Sequence, residues 1–190
     1  MCFLQGYKTY LTNYNFSMKI VGKLDIYLSK LISIEFSDRK KIISGFLLDY
    51  SEDWILIQNN PVDYMIDGFS VIRNINIKDI YQDEVEEFTE KVIQLKGYVT
   101  QYAHEIPLGN IEDMIRYLNA KYGLFLLIKK SGKAVYPGRL ISLNEKKINI
   151  EWINTRGKWT EERTFKLDKI RIIEFESDYL ISLKLASELL

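Results

Sequence analysis

The only histidine in the chain is His104, so any Ser-His or Cys-His nucleophilic pair would have to be built on that one imidazole. It lies beside Glu105 and shortly before Pro107, where a partly exposed loop histidine is the simpler expectation. The single cysteine, Cys2, can close neither an internal disulfide nor, with one histidine, a common zinc site. The acidic run Asp83-Glu84-Val85-Glu86-Glu87 has the residue types for acid–base or calcium chemistry, but its interleaving with Val85 and Phe88 reads as the wet face of a helix. Ser131-Gly132-Lys133 lacks the preceding glycine of a phosphate-binding loop and reads as a hairpin turn. No catalytic residue, cofactor or metal is therefore assigned.

Recognition chemistry is better represented. Asn154-Thr155-Arg156-Gly157-Lys158-Trp159-Thr160, with Arg163 just beyond, sets a tryptophan among cations in a hairpin. Such a ring stacks on a nucleobase, anchors a protein interface or folds back over its own core. Tyr64, with Asp63 and Asp67, occupies the corresponding loop earlier in the chain and would present an acidic counterpart.

The elements that position these residues come from an internal repeat. Setting Gly45 on Gly138 brings Gly45-Phe46-Leu47-Leu48 onto Gly138-Arg139-Leu140-Ile141, and Ile55-Leu56-Ile57 onto Ile148-Asn149-Ile150. Ile32, Ile34 and Ile42 then meet Phe125, Leu127 and Val135. Allowing a shorter loop in the second repeat, Ile77-Lys78-Asp79-Ile80 meets Leu167-Asp168-Lys169-Ile170. Each repeat reads as short strands parted by turn residues. In the first repeat the strands are expected at 32–36, 42–50, 54–58 and 69–75. A glycine within the long strand permits the sharp bend of a small barrel.

Between the repeats, Val85, Phe88, Val92 and Leu95 recur at helical spacing, which predicts a helix that buries them and leaves Glu84, Glu86, Glu87 and Glu90 wet. A second helix is expected from the N-cap Asn110, burying Ile111, Met114, Ile115 and Leu118 and stopping near Gly123. A third, at 180–189, repeats the position of the first.

The first repeat resembles the Sm-like fold, a strongly bent five-stranded barrel of the SH3-like type. Phe36-Ser37-Asp38-Arg39, Gly45-Phe46-Leu47 and Val71-Ile72-Arg73-Asn74-Ile75-Asn76-Ile77 are similar to the two Sm sequence motifs. The resemblance spans 30–80 and, more faintly, 124–174. It implies single-stranded RNA binding, but Ser51, Trp54 and Ile55 in the first repeat, and Asn144, Lys147 and Ile148 in the second, replace the family's base-clasping residues. Of the second motif only Arg73 keeps its identity, and Asn74 stands where the family has glycine.

Lysine plus arginine number 26, as do aspartate plus glutamate, so binding to a polyanion has to come from a local patch rather than a global field. No apolar run approaches a membrane span, Met1–Ser17 lacks the apolar core of a signal peptide, and Met18 could itself open the product. A reducing, cytoplasmic setting is expected.

The fold expected is mainly β (α+β): two tandem, strongly bent, five-stranded antiparallel barrels of SH3/Sm-like type with helices between them and at the C-terminus. The boundaries are an extension at 1–29, barrels at 30–82 and 123–176, a helical connector at 83–122 and a terminal helix at 177–190. The leading function is a non-catalytic protein-interaction module, a regulatory or neutralising partner. The alternative is single-stranded RNA or DNA binding. The candidate binding residues are Arg73, Tyr64, Arg156, Lys158, Trp159 and Arg163, and the sequence leaves the oligomeric state open.

Overall fold

The computed structural model describes residue 22 and residues 24–99, 106–132 and 134–190. His104, Cys2, Lys133 and residues 1–17 lie outside them. Among the described residues there are ten strands: β1 (Leu31–Phe36), β2 (Ile43–Tyr50), β3 (Trp54–Asn59), β4 (Phe69–Arg73), β5 (Ile77–Tyr81), β6 (Phe125–Lys129), β7 (Val135–Leu143), β8 (Lys147–Ile153), β9 (Trp159–Lys166) and β10 (Ile170–Phe175). Three α-helices accompany them: α1 (Glu84–Leu95), α2 (Ile111–Tyr122) and α3 (Asp178–Glu188).

The strands form one antiparallel sheet in the order β5-β1-β2-β3-β4-β10-β6-β7-β8-β9. Two separately closed barrels were expected. Instead β4 gives its outer side to β10, with Ile72 opposite Ile172 and Phe69 opposite Phe175, so the ladder runs on as one open sheet. Its ends are β5 and β9, and β9 carries Glu161, Glu162, Arg163 and Lys166, charges that discourage further strand pairing.

The two halves nevertheless follow the same order, the fifth strand of each returning to pair with the first. Gly138 stands 93 residues after Gly45, and the same spacing governs the pairing throughout. Ile32 faces Gly45 as Phe125 faces Gly138. The bulge between Leu47 and Asp49 recurs between Leu140 and Ser142. The spacing also corrects the expected alignment of the last strand. Phe36 pairs with Ile77 and Lys129 with Ile170, so Ile170, not Leu167, is the counterpart of Ile77. Leu167–Lys169 forms a 3-10 turn whose apolar first residue imitates the start of a strand.

Both glycines are needed because a neighbouring strand lies where a side chain would go. A Cβ on Gly45 would stand 2.3 Å from the Gln58 carbonyl oxygen, and one on Gly138 would stand 2.6 Å from that of Glu151. The close approach is thus to the protein's own backbone.

The largest apolar cluster joins the halves. Leu31, Phe46, Leu56 and Val71 of the first pack with Phe125, Ile148, Ile150 and Phe175 of the second beneath Met114, Ile115 and Leu118 of α2. The helix α2 follows expectation: Asn110 Oδ1 accepts from the Glu112 amide at 2.7 Å, and Gly123 ends the helix in the left-handed conformation, φ 75°. A second cluster, with Ile32, Ile34, Ile55 and Ile72, fills the first half. A third, with Leu124, Leu126 and Ile153, lies under Leu180 and Leu183 of α3.

Candidate interaction surface

The helix α1 starts with a capping box. Asp83 Oδ1 accepts from the Val85 amide at 2.9 Å, and Glu86 Oε2 accepts from the Asp83 amide at 3.1 Å. The helix then meets the sheet with its polar side. Glu86 Oε1 accepts from Ser33 Oγ at 2.6 Å. Glu90 Oε2 accepts from the Leu31 amide at 2.9 Å and from Gln82 Nε2 at 2.7 Å. Of its apolar residues only Ile93 is buried.

The expected face is therefore inverted. Val85, Phe88 and Leu95 are 68%, 61% and 88% exposed, and Val92 is half-buried. The physical reason lies in the strand beneath. Ser33 and its cross-strand partner Ser44, whose hydroxyls are 2.9 Å apart, give the sheet a polar patch where the second half has Leu126 and Pro137. A carboxylate satisfies that patch and a leucine would not. In the second half α3 lays Leu180 and Leu183 on Leu124 and Leu126, so helices in matching places present different chemistry to the sheet, carboxylates in the first half and leucines in the second.

Lys96 Nζ donates to the Tyr64 carbonyl at 2.9 Å, bringing the β3–β4 loop alongside, and Val62, Tyr64 and Met65 are exposed there. An open cleft of about 650 Å³, lined in part by Tyr64, Met65, Lys96, Tyr98 and Ile181, lies between that loop and α3. Asp67, expected as part of an acidic loop surface, accepts from the Asp178 amide at 2.6 Å and so helps begin α3.

The remaining candidate residues lie in separate places. Arg73 ends β4, half-buried, with its guanidinium 4.7 Å above the Trp54 ring and Nη2 donating to the Leu167 carbonyl at 3.2 Å. Arg156 and Lys158 are exposed on the β8–β9 hairpin, whose tip lies against the end of α3: a Cβ on Gly157 would be 2.7 Å from Ala186. Trp159 is half-buried against the third apolar cluster, with the Arg139 guanidinium 4.2 Å from its ring centre. Arg163 stacks over Trp152 at 4.2 Å and is bridged to Glu161.

Two cations that the sequence did not single out join Arg73 at the β4–β10 seam. Arg171 is fully buried, its Nη2 donating to Asp38 Oδ1 at 2.7 Å, while Nε and Nη1 have no hydrogen-bond partner among the described residues. Lys130 follows β6, and its amide donates to the Lys169 carbonyl at 2.9 Å. Burial, then the nearby Arg73, Lys169 and Arg171, pulls the Lys130 ammonium below its usual pKa. Only the antiparallel register reveals this grouping, because the residues lie far apart in the chain.

Among the described residues no helix is long and apolar enough to cross a membrane. No family model matches the chain, and neither a curated protein nor a solved structure does.

Proposed function

We propose that the protein is a non-catalytic protein-interaction module whose docking face is the outward side of α1. The supporting observation is the inverted helix: Glu86 and Glu90 bond to Ser33 and the Leu31 amide, leaving Val85, Phe88 and Leu95 toward solvent. Exposed apolar patches of this kind mark interaction sites, and helix-in-groove recognition reads them at this spacing. The recurring strand order and constant residue spacing support the further reading of each half as an Sm-like bent unit. On that reading the paired units form the scaffold that presents α1. A photo-reactive phenylalanine analogue at position 88, with position 113 of α2 as control, tests the docking face in a native extract. Cross-links at 88 alone agree with it, and equal labelling or none at 88 contradicts it.

A second reading, binding of single-stranded nucleic acid, is favoured by the convergence of Arg73, Lys130, Lys169 and Arg171 at the seam. It predicts salt-sensitive binding of labelled RNA or DNA oligomers that Arg73→Ala and Lys130→Ala weaken. Absence of binding at low salt retires it.

A further inference from the structure

A second cleft, of about 560 Å³, opens between the β1–β2 loop, the β6–β7 hairpin and β10. That size is within the range of small-molecule sites, about 300–1,000 Å³. Its floor includes Asn59 of β3, Ser70 of β4 and Glu174 of β10. By strand alternation these share a face with Ile57, Ile72 and Ile172, whereas α1 packs on the face of Leu31 and Ser33, so the cleft and the α1 surface lie on opposite sides of the sheet. Ser70 stands directly across from Glu174.

This floor holds polar groups that the fold leaves unsatisfied. Glu174 makes no hydrogen bond or ion pair among the described residues, and Asn59 Oδ1 is buried without a partner among them. Burial pushes the Glu174 carboxyl up, so holding its charge at neutral pH costs the folded chain stability. A carboxylate kept at such a cost inside a cleft is placed to receive donors from a ligand. Asp67, which also lines the cleft, is already held by the Asp178 amide. The mouth has the opposite charge. Arg39, Lys40 and Lys41 follow one another along it, and none is in an ion pair among the described residues. The Arg39 guanidinium lies 5.3 Å from the Phe36 ring centre and reaches the facing hairpin, where a Cβ on Gly132 would be 2.8 Å from Nη2.

From this arrangement we propose that the cleft binds a guanine nucleotide, with the base on the floor and the phosphates at the mouth. Among the common bases only guanine presents two adjacent donors, N1–H and the 2-amino group, which match the two oxygens of an ionised Glu174. Ser70 and Asn59 carry the O–H and N–H groups from which its O6 accepts. Adenine and cytosine set an acceptor nitrogen beside their amino group, and uracil flanks its one N–H with carbonyls, so each turns a lone pair onto the carboxylate. Three neighbouring cations exceed what a single carboxylate, such as that of an amino acid, would need, and they suit phosphate oxygens. The site stands apart from the docking reading of α1 and does not depend on it.

Isothermal titration calorimetry of the full chain with GDP, ADP and guanosine at neutral pH tests the assignment. GDP is expected to bind at least about tenfold more tightly than either ADP or guanosine. Glu174→Gln should weaken GDP at least about tenfold, because its amide turns a donor onto the donors of the base. Relief of the buried charge makes that variant no less stable than the wild type, so the loss is not one of folding. Changing Lys40 and Lys41 together to alanine should weaken GDP and leave guanosine unaltered. Equal binding of GDP and ADP, or GDP binding that Glu174→Gln does not change, overturns the guanine assignment. No binding of GDP up to about 1 mM overturns the site itself.

Discussion

Ser33 Oγ donates a 2.6 Å hydrogen bond to Glu86 Oε1, and this contact fixes which side of α1 faces the sheet. The same carboxylate caps the Asp83 amide through its other oxygen. Glu86→Ala removes both bonds and is expected to lower stability by about 2 kcal/mol in urea unfolding. Glu86→Gln keeps an acceptor oxygen and should lose less than half of that.

Asp38 ties the halves together by accepting from Arg171 Nη2 at 2.7 Å and from Asn76 Nδ2 at 2.7 Å. Because Arg171 is fully buried, removing its counter-charge strands a cation, whereas removing the cation leaves Asp38, a third exposed, with Asn76. Asp38→Ala should therefore cost about 3 kcal/mol and Arg171→Met only about 1 kcal/mol, an asymmetry that paired denaturation curves resolve.

Alanine at Gly45 or Gly138 drives a Cβ into a neighbouring carbonyl oxygen, which only backbone movement can relieve. Each substitution is expected to cost about 3 kcal/mol, Gly45→Ala being the worse. Gly109, with nothing among the described residues within 4 Å of a built Cβ and no positive φ, is the control and should change by less than about 0.5 kcal/mol.

Glu174 lies on β10, and burial pushes its carboxyl above the usual carboxylate range, with Lys41 opposing and Asp67 reinforcing the shift. The folded state then holds this proton more tightly than the unfolded state does. Its contribution to stability is present below the unfolded value and is lost as pH rises through the folded one. Glu174→Gln should raise the melting temperature at neutral pH, and the gain should shrink as pH falls toward 4.5, the ordinary value for a glutamate. A gain that does not depend on pH would point to packing instead.

Much of the fold was legible in single residues. Asn110 and Gly123 bounded α2, and Gly45 against Gly138 revealed the recurring unit. The side on which α1 packs was misread because periodicity reports that a helix has two faces, not which one the sheet accepts. The signal lay elsewhere, in Ser33 and Ser44 standing opposite one another between the apolar pairs Leu31–Phe46 and Ile34–Ile43. The joining of the halves was not legible, because the outer side of β4 pairs with a strand about 100 residues away that no local pattern names. The grouping of Arg73, Lys130 and Arg171 follows from that pairing and was hidden with it.

The outward turn of α1 is tested most directly by comparing urea unfolding of Phe88→Glu with that of Leu183→Glu, at a concentration where the wild-type chain is monomeric. The two residues lie on helices in matching places, one exposed and one buried. Phe88→Glu is predicted to stay within about 0.5 kcal/mol of the wild type, while Leu183→Glu loses about 3 kcal/mol or more. A comparable loss in both would mean that Phe88 packs inward and would contradict the account.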